Sequence, residues 1–270
     1  MSQSSDAAIP FADMPVAPSA TVKPRAWRLL LRAFLWLLGA EAVAICGGGL
    51  IAFIGGFSRG FAKAHGGIGW QPDPLVYVLV GTLALQATLL FVSLRQGRSL
   101  GHGNLAAGLG AGPMRRHGFV ALLAGLAVVW IGTFVAILAH MQSVSVYVSD
   151  RVPAVLKLTT SAGPFLLAMQ FLLIVPFAPI VEELFFRGWL WTALRRSWGV
   201  WPTAVCTAGL WLAVHAIDAP ARVLMLLPMA VLLSLARHYG NSVRASLVVH
   251  LVNNGVAAMI QFGALVFAVS

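Results

Sequence analysis

Acidic residues are scarce in this chain. Five aspartates and three glutamates stand against 18 lysines and arginines, and charged residues make up only 10% of the 270 positions. Soluble domains carry about 25%, so most of this surface is not built to face water. Two cysteines, Cys46 and Cys206, are too few for a disulfide framework or a Cys-ligated metal, and both fall in apolar runs. No Gly-x-Ser-x-Gly elbow occurs and neither cysteine has a convincing His partner, which argues against a covalent nucleophile. His-Glu-x-x-His is absent as well. No repeat at a solenoid period and no inverted repeat is visible.

What is abundant is apolar: 59% of residues are hydrophobic. Stretches of about 17 or more such residues are long enough to cross a hydrocarbon core of ~30 Å as helices, and unpaired backbone cannot face lipid in any other single-span form. The pattern predicts an all-α polytopic membrane bundle of about seven transmembrane helices, at 29–56, 75–94, 118–140, 162–186, 201–217, 221–237 and 243–268. Thirteen of the eighteen basic residues fall on one side of that topology, among them Arg95, Arg98, Arg115, Arg116, Arg195, Arg196, Arg237 and Arg244. The positive-inside rule then places the N-terminus in the cytoplasm and the C-terminus outside. The net charge of +10 is accounted for by this bias and by anionic membrane lipid, without nucleic acid. Residues 1–26, rich in Ser, Ala and Pro, are expected to be a disordered cytoplasmic tail and do not resemble a signal peptide. Residues 27–160 then form N-terminal transmembrane helices, and 161–268 a catalytic transmembrane core.

All three glutamates interrupt apolar runs, and Glu182 and Glu183 are adjacent in one of them. A charge near the bilayer centre costs at least ~2.5 kcal/mol, so such residues are functional by default. Glu183 and Arg187 are four apart and pair on a helix. Glu182 points about 100° away, without an obvious local partner, and suits a general base. The bland reading, a structural ion pair pinning two helices, fits a single glutamate better than it fits the doublet.

His215 ends the fifth span. If the fourth span runs as a helix to a turn near Trp198-Gly199-Val200, Glu182 and His215 stand ~25 and ~23 Å from the same bend, at one level. The last span carries His250 and Asn254 on one helical face, with Asn253 about 100° round. A His and an Asn so placed suit hydrogen bonds to an oxyanion or the holding of a metal; as plain helix glue each bond is worth about 0.6 kcal/mol. Glu41, in the first span near Gly47, Gly48 and Gly49, reads as a packing or snorkelling residue. His65, His102, His117 and His238 need no special function, His140 reads as interfacial, and the tryptophans near span ends form an aromatic belt.

Glu182-Glu183-Leu184-Phe185-Phe186-Arg187, Trp211-Leu212-Ala213-Val214-His215 and His250-Leu251-Val252-Asn253-Asn254 occur in this order within apolar spans. Over roughly residues 160–260 the sequence resembles the CPBP (CAAX protease and bacteriocin-processing, Abi) family, which includes type II CAAX prenyl endopeptidases and bacterial proteins linked to self-immunity. The resemblance implies an intramembrane endopeptidase. Glu182 would be its general base assisted by His215, with His250 and Asn254 on the oxyanion, and Glu183 holding Arg187 and shaping the site. It also implies a metalloprotease, with His215 and His250 as ligands of a divalent metal such as Zn if the enzyme is metal-dependent; a metal-free glutamate mechanism is the other option. Trp211 stands where the family usually has Phe, and Ser234 and Asn241 where glycines are common. Expected partners are membrane lipid and a peptide or membrane-protein substrate in a bacterial cytoplasmic membrane. A catalytically silent immunity or scaffold protein is the alternative, and a proton-relaying transporter a third that lacks its inverted repeat.

Overall fold

The computed structural model describes residues 26–143, 163–218 and 222–269. The expected tail and the basic and acidic residues Lys23, Arg25, Asp150, Arg151 and Lys157 lie outside the described residues, as does the side chain of His140. Every regular element among the described residues is helical, as the apolar runs require.

Helix α1 (Ala26–Ala64) is 39 residues, about 58 Å at 1.5 Å per residue, nearly twice the thickness of a hydrocarbon core. It leaves Leu50, Phe53 and Phe57 exposed, which is the surface of a helix whose solvent is lipid. Helix α2 (Pro74–Leu100) starts where Pro74 supplies a preset first-turn φ and Asp73 Oδ1 accepts from the Leu75 N–H at 2.8 Å. A short helix α3 (Leu105–Gly108) folds back onto the end of α2. A Cβ on Gly108 would overlap the Gly97 carbonyl, so that approach requires glycine. Helices α4 (His117–Ser143), α5 (Pro164–Leu194), α6 (Val200–Asp218), α7 (Arg222–Tyr239) and α8 (Val243–Val269) follow.

Five helices have the length and composition to cross a membrane, namely α1, α2, α4, α5 and α8; the apolar parts of α6 and α7, Val200–Ala216 and Val223–Tyr239, are shorter. Five of the seven expected spans sit inside observed helices whose ends run further, while those at 162–186 and 221–237 open at positions outside the described residues, ahead of Pro164 and Arg222. The fourth, expected to end at 186, continues to Leu194, and the first continues to Ala64. Nothing in hydropathy stops a helix at the lipid boundary; here the stop comes from the Arg195–Gly199 turn and its Arg195 Nη1 bond to the Trp198 carbonyl at 2.8 Å.

The inner half of α5 is the axis of the molecule. Phe185, Phe186, Trp189, Leu190, Trp191 and Leu194 are all buried, because α2, α6 and α8 pack around this segment. Helix α4 closes against α7 and α8, while α1 packs outside on α2. Burial follows this wrapping rather than a stripe on one face, since apolar side chains facing lipid and facing protein are chemically alike.

Candidate active site

Helix α5 is not wound uniformly. Leu173–Phe177 and Glu183–Leu190 are π-helical, with i→i+5 bonding, a rare winding that recurs at functional sites. In the second segment Arg187 Nη1 lies 3.1 Å from Glu183 Oε1, with both side chains fully buried. The Arg187 guanidinium also sits over the Trp211 ring, 5.3 Å from its centroid, and 6.0 Å from that of Phe186. The altered winding sends the Trp191 N–H to the Phe186 and Gly188 carbonyls. The Arg187 carbonyl accepts instead from Arg237 Nε at 2.8 Å.

Glu183 Oε1 is shared with α8, where His250 Nδ1 approaches to 3.0 Å. Arg187, Glu183 and His250 thus form one buried unit whose remaining capacity, at Glu183 Oε2 and Arg187 Nε and Nη2, has no hydrogen-bond partner among the described residues. Neighbouring charges of opposite sign offset a desolvation that would be prohibitive for either alone.

Glu182 takes the other direction and is half-buried. Its Oε2 accepts from Trp211 Nε1 at 2.7 Å, and its Oε1 from Gln86 Nε2 of α2 at 3.4 Å. The expectation that Glu182 lacks a local partner stands, since among the described residues its two hydrogen bonds both come from across the bundle. Trp211 is the hub. His215, one turn further along α6, stacks obliquely with its ring 4.4 Å from the indole and its Nδ1 2.8 Å from the Trp211 carbonyl. The His250 ring meets the same indole edge-on at 5.8 Å. Helix α5 does run on to Leu194, as the hairpin geometry required, and Trp211 joins the two helices by bonding Glu182 while His215 lies one turn further along α6.

Asn254 is held by the α5 backbone as well as sharing a helical face with His250. Its Nδ2 donates to the Ile174 carbonyl of α5 at 3.0 Å, and its Oδ1 accepts from Asn253 Nδ2 at 3.2 Å. The cause is local. The Ala178 N–H is taken by Leu173 O, and Pro179 has no N–H, so the Ile174 carbonyl needs a donor from elsewhere. One amide hydrogen of Asn254 is left for other use.

The structure thus gathers Glu182, Glu183, Arg187, His215 and His250 around one indole and draws Asn254 onto the α5 backbone. Two contributors were missed in the sequence. Gln86 stood out only as a lone amide in an apolar run; Trp211 seemed a mild replacement of Phe, yet its N–H is what Phe lacks. Among the described residues no three of His, Cys, Asp and Glu converge so as to hold a metal ion. The donor set in place does not fit a zinc centre.

No curated protein and no solved structure matches the chain. Residues 164–256, the segment that carries every one of these side chains except Gln86, match the family model described as type II CAAX prenyl endopeptidase Rce1-like.

Proposed function

We propose that the chain is an intramembrane endopeptidase that hydrolyses a peptide bond with water activated by Glu182. The observation that carries this is the setting of Glu182. It is a half-buried carboxylate within an apolar helix, oriented by Trp211 Nε1 at 2.7 Å, with two imidazoles against the same indole. Glu183 is the poorer base, since it is fully buried and its Oε1 already serves Arg187 and His250.

In the proposed reaction a water between Glu182 and His215 gives its proton to the Glu182 carboxylate as its oxygen adds to the scissile carbonyl. The oxyanion that forms is met by the Nε2 side of the His250 ring and by the remaining amide hydrogen of Asn254. Collapse breaks the C–N bond, and the proton held by Glu182 goes to the departing amine. Glu183 fixes the His250 ring through Nδ1, and Arg187 offsets the charge of Glu183. A general base contributes typically ~10²–10⁴ in rate and an oxyanion donor ~10²–10³.

Glu182 precedes Leu194 by twelve residues, ~18 Å of helix, so the cut falls within the membrane on the side that bears Arg195 and Arg196. With the N-terminus cytoplasmic, that is the cytoplasmic half. A leader peptide or a membrane-anchored protein is the substrate class that reaches this depth. Quantitative proteomics of peptides from native membranes, wild type against Glu182→Ala and His250→Ala, tests the reading. Both variants should insert normally and lose the same set of cleavage products. Retention of that set in both would discard the enzyme in favour of a scaffold.

A further inference from the structure

Outside the active site, unbalanced positive charge gathers at the end of the bundle where α4, α6 and α8 begin and α5 and α7 end. There Arg115, Arg116, Arg195, Arg237 and His238 line a cavity of about 370 Å³, and no Asp or Glu is among its lining residues. None of these four arginines has a carboxylate partner among the described residues. The one acid that Arg237 feels, Glu183, is already committed to Arg187 and His250.

The walls are fixed rather than adventitious. The Arg115 N–H donates to the Gly240 carbonyl at 2.9 Å, the Val243 N–H to Gly110 O at 3.0 Å, and Ser242 Oγ to Gly112 O at 2.7 Å. Gly110, Arg116 and Asn241 all take positive φ, which folds the two loops against each other. A Cβ on Gly110 would collide with the Arg237 guanidinium, so glycine there makes room for the charge. Two guanidinium groups lie over aromatic rings that hold them in place. Arg237 is 5.7 Å from the Trp191 centroid and Arg116 is 5.5 Å from that of Tyr239.

Several like charges gathered in a preformed hollow repel one another unless an anion joins them, and arginine forks match phosphate oxygens in pairs. The site also lies level with helix ends, where lipid phosphates lie, and basic pockets between membrane helices suit anionic headgroups. We infer that this cavity binds the phosphate of an anionic membrane phospholipid. Occupancy would bear directly on Arg237, whose Nε holds the Arg187 carbonyl beside the catalytic carboxylates. The inference is independent of the proposed chemistry, because binding is read without activity.

The test is native mass spectrometry of the full chain in detergent, titrated with phosphatidylglycerol or phosphatidylcholine. Variants are Arg116→Gln/Arg195→Gln and, as a charge-matched control on α1, Arg28→Gln/Arg32→Gln; all four side chains are exposed. Phosphatidylglycerol should be retained at least tenfold better than phosphatidylcholine. The cavity pair should weaken it by about fivefold per arginine, roughly 25-fold together, and the control by less than threefold. Equal retention of the two lipids, equal loss in both variants, or no loss in the cavity variant would overturn the site. Displacement by inorganic phosphate at a concentration equal to the lipid would assign the cavity to free phosphate and overturn the lipid.

Discussion

Replacing Arg187 by methionine keeps most of the apolar stem and removes only the guanidinium, which isolates the contribution of the buried charge. In the native molecule that guanidinium is fully buried, 3.1 Å from Glu183 Oε1 and 5.3 Å from the Trp211 centroid. Its loss leaves Glu183 with no cation in contact, since Arg237 acts on it only from further off, and with the His250 ring as its remaining ion-pair partner. Breaking a buried pair from one side costs about 3–5 kcal/mol, chiefly the penalty of the stranded charge. The cation–π contacts add about 0.5–2 kcal/mol. Glu183→Gln alone should cost a similar 3–5 kcal/mol, by stranding Arg187. Glu183→Gln together with Arg187→Met strands neither group. The double variant should therefore be far more stable than the sum of the singles, with a coupling energy of at least ~2 kcal/mol. Reversible unfolding in mixed micelles, with a denaturing detergent as titrant, measures all four proteins. A loss below ~1 kcal/mol for Arg187→Met, or strict additivity, would refute the view that these two charges sustain each other. The double variant should still be a poor enzyme, because His250 would lose the carboxylate facing Nδ1.

Other substitutions separate the roles of the neighbours. Trp211→Phe keeps the ring but deletes the N–H that holds Glu182, and should lower kcat about tenfold while costing ~1–2 kcal/mol in unfolding. Gln86→Leu removes a long 3.4 Å contact and should change kcat by less than about threefold, checked in the same assay. Asn254→Ala strands the Ile174 carbonyl and should cost about 1–3 kcal/mol in unfolding; rescue by Pro179→Ala, which restores an N–H on α5, would identify that carbonyl as the cause.

Much of this was legible in residue order because lipid imposes simple rules. A run of about 20 apolar residues has one stable form, so the long helices could be placed from hydropathy, while their ends and the short α3 could not. Glu183 and Arg187 were legible as a pair because four residues is a helical turn. The continuation of α5 to the turn before α6 followed from counting residues to Trp198-Gly199-Val200. What could not be read is what depends on contacts between distant segments. Gln86 reaches Glu182 across 96 positions, and His250 reaches Glu183 across 67. Nor does a helical period reveal π winding, which here sends the Arg187 carbonyl to Arg237 and, with Pro179, the Ile174 carbonyl to Asn254. One amide hydrogen of Asn254, a residue expected at the oxyanion from the face it shares with His250, is drawn to the Ile174 carbonyl of α5, and the other remains for the proposed oxyanion.

Turnover of the Glu182→Gln protein in reconstituted vesicles, on a peptide identified from native membranes, tests the central claim most directly. The isostere preserves volume and can still hydrogen-bond Trp211, but takes no proton from water. A kcat reduced by ~10²–10⁴ with unchanged unfolding is expected; a kcat within threefold of the native protein would contradict it.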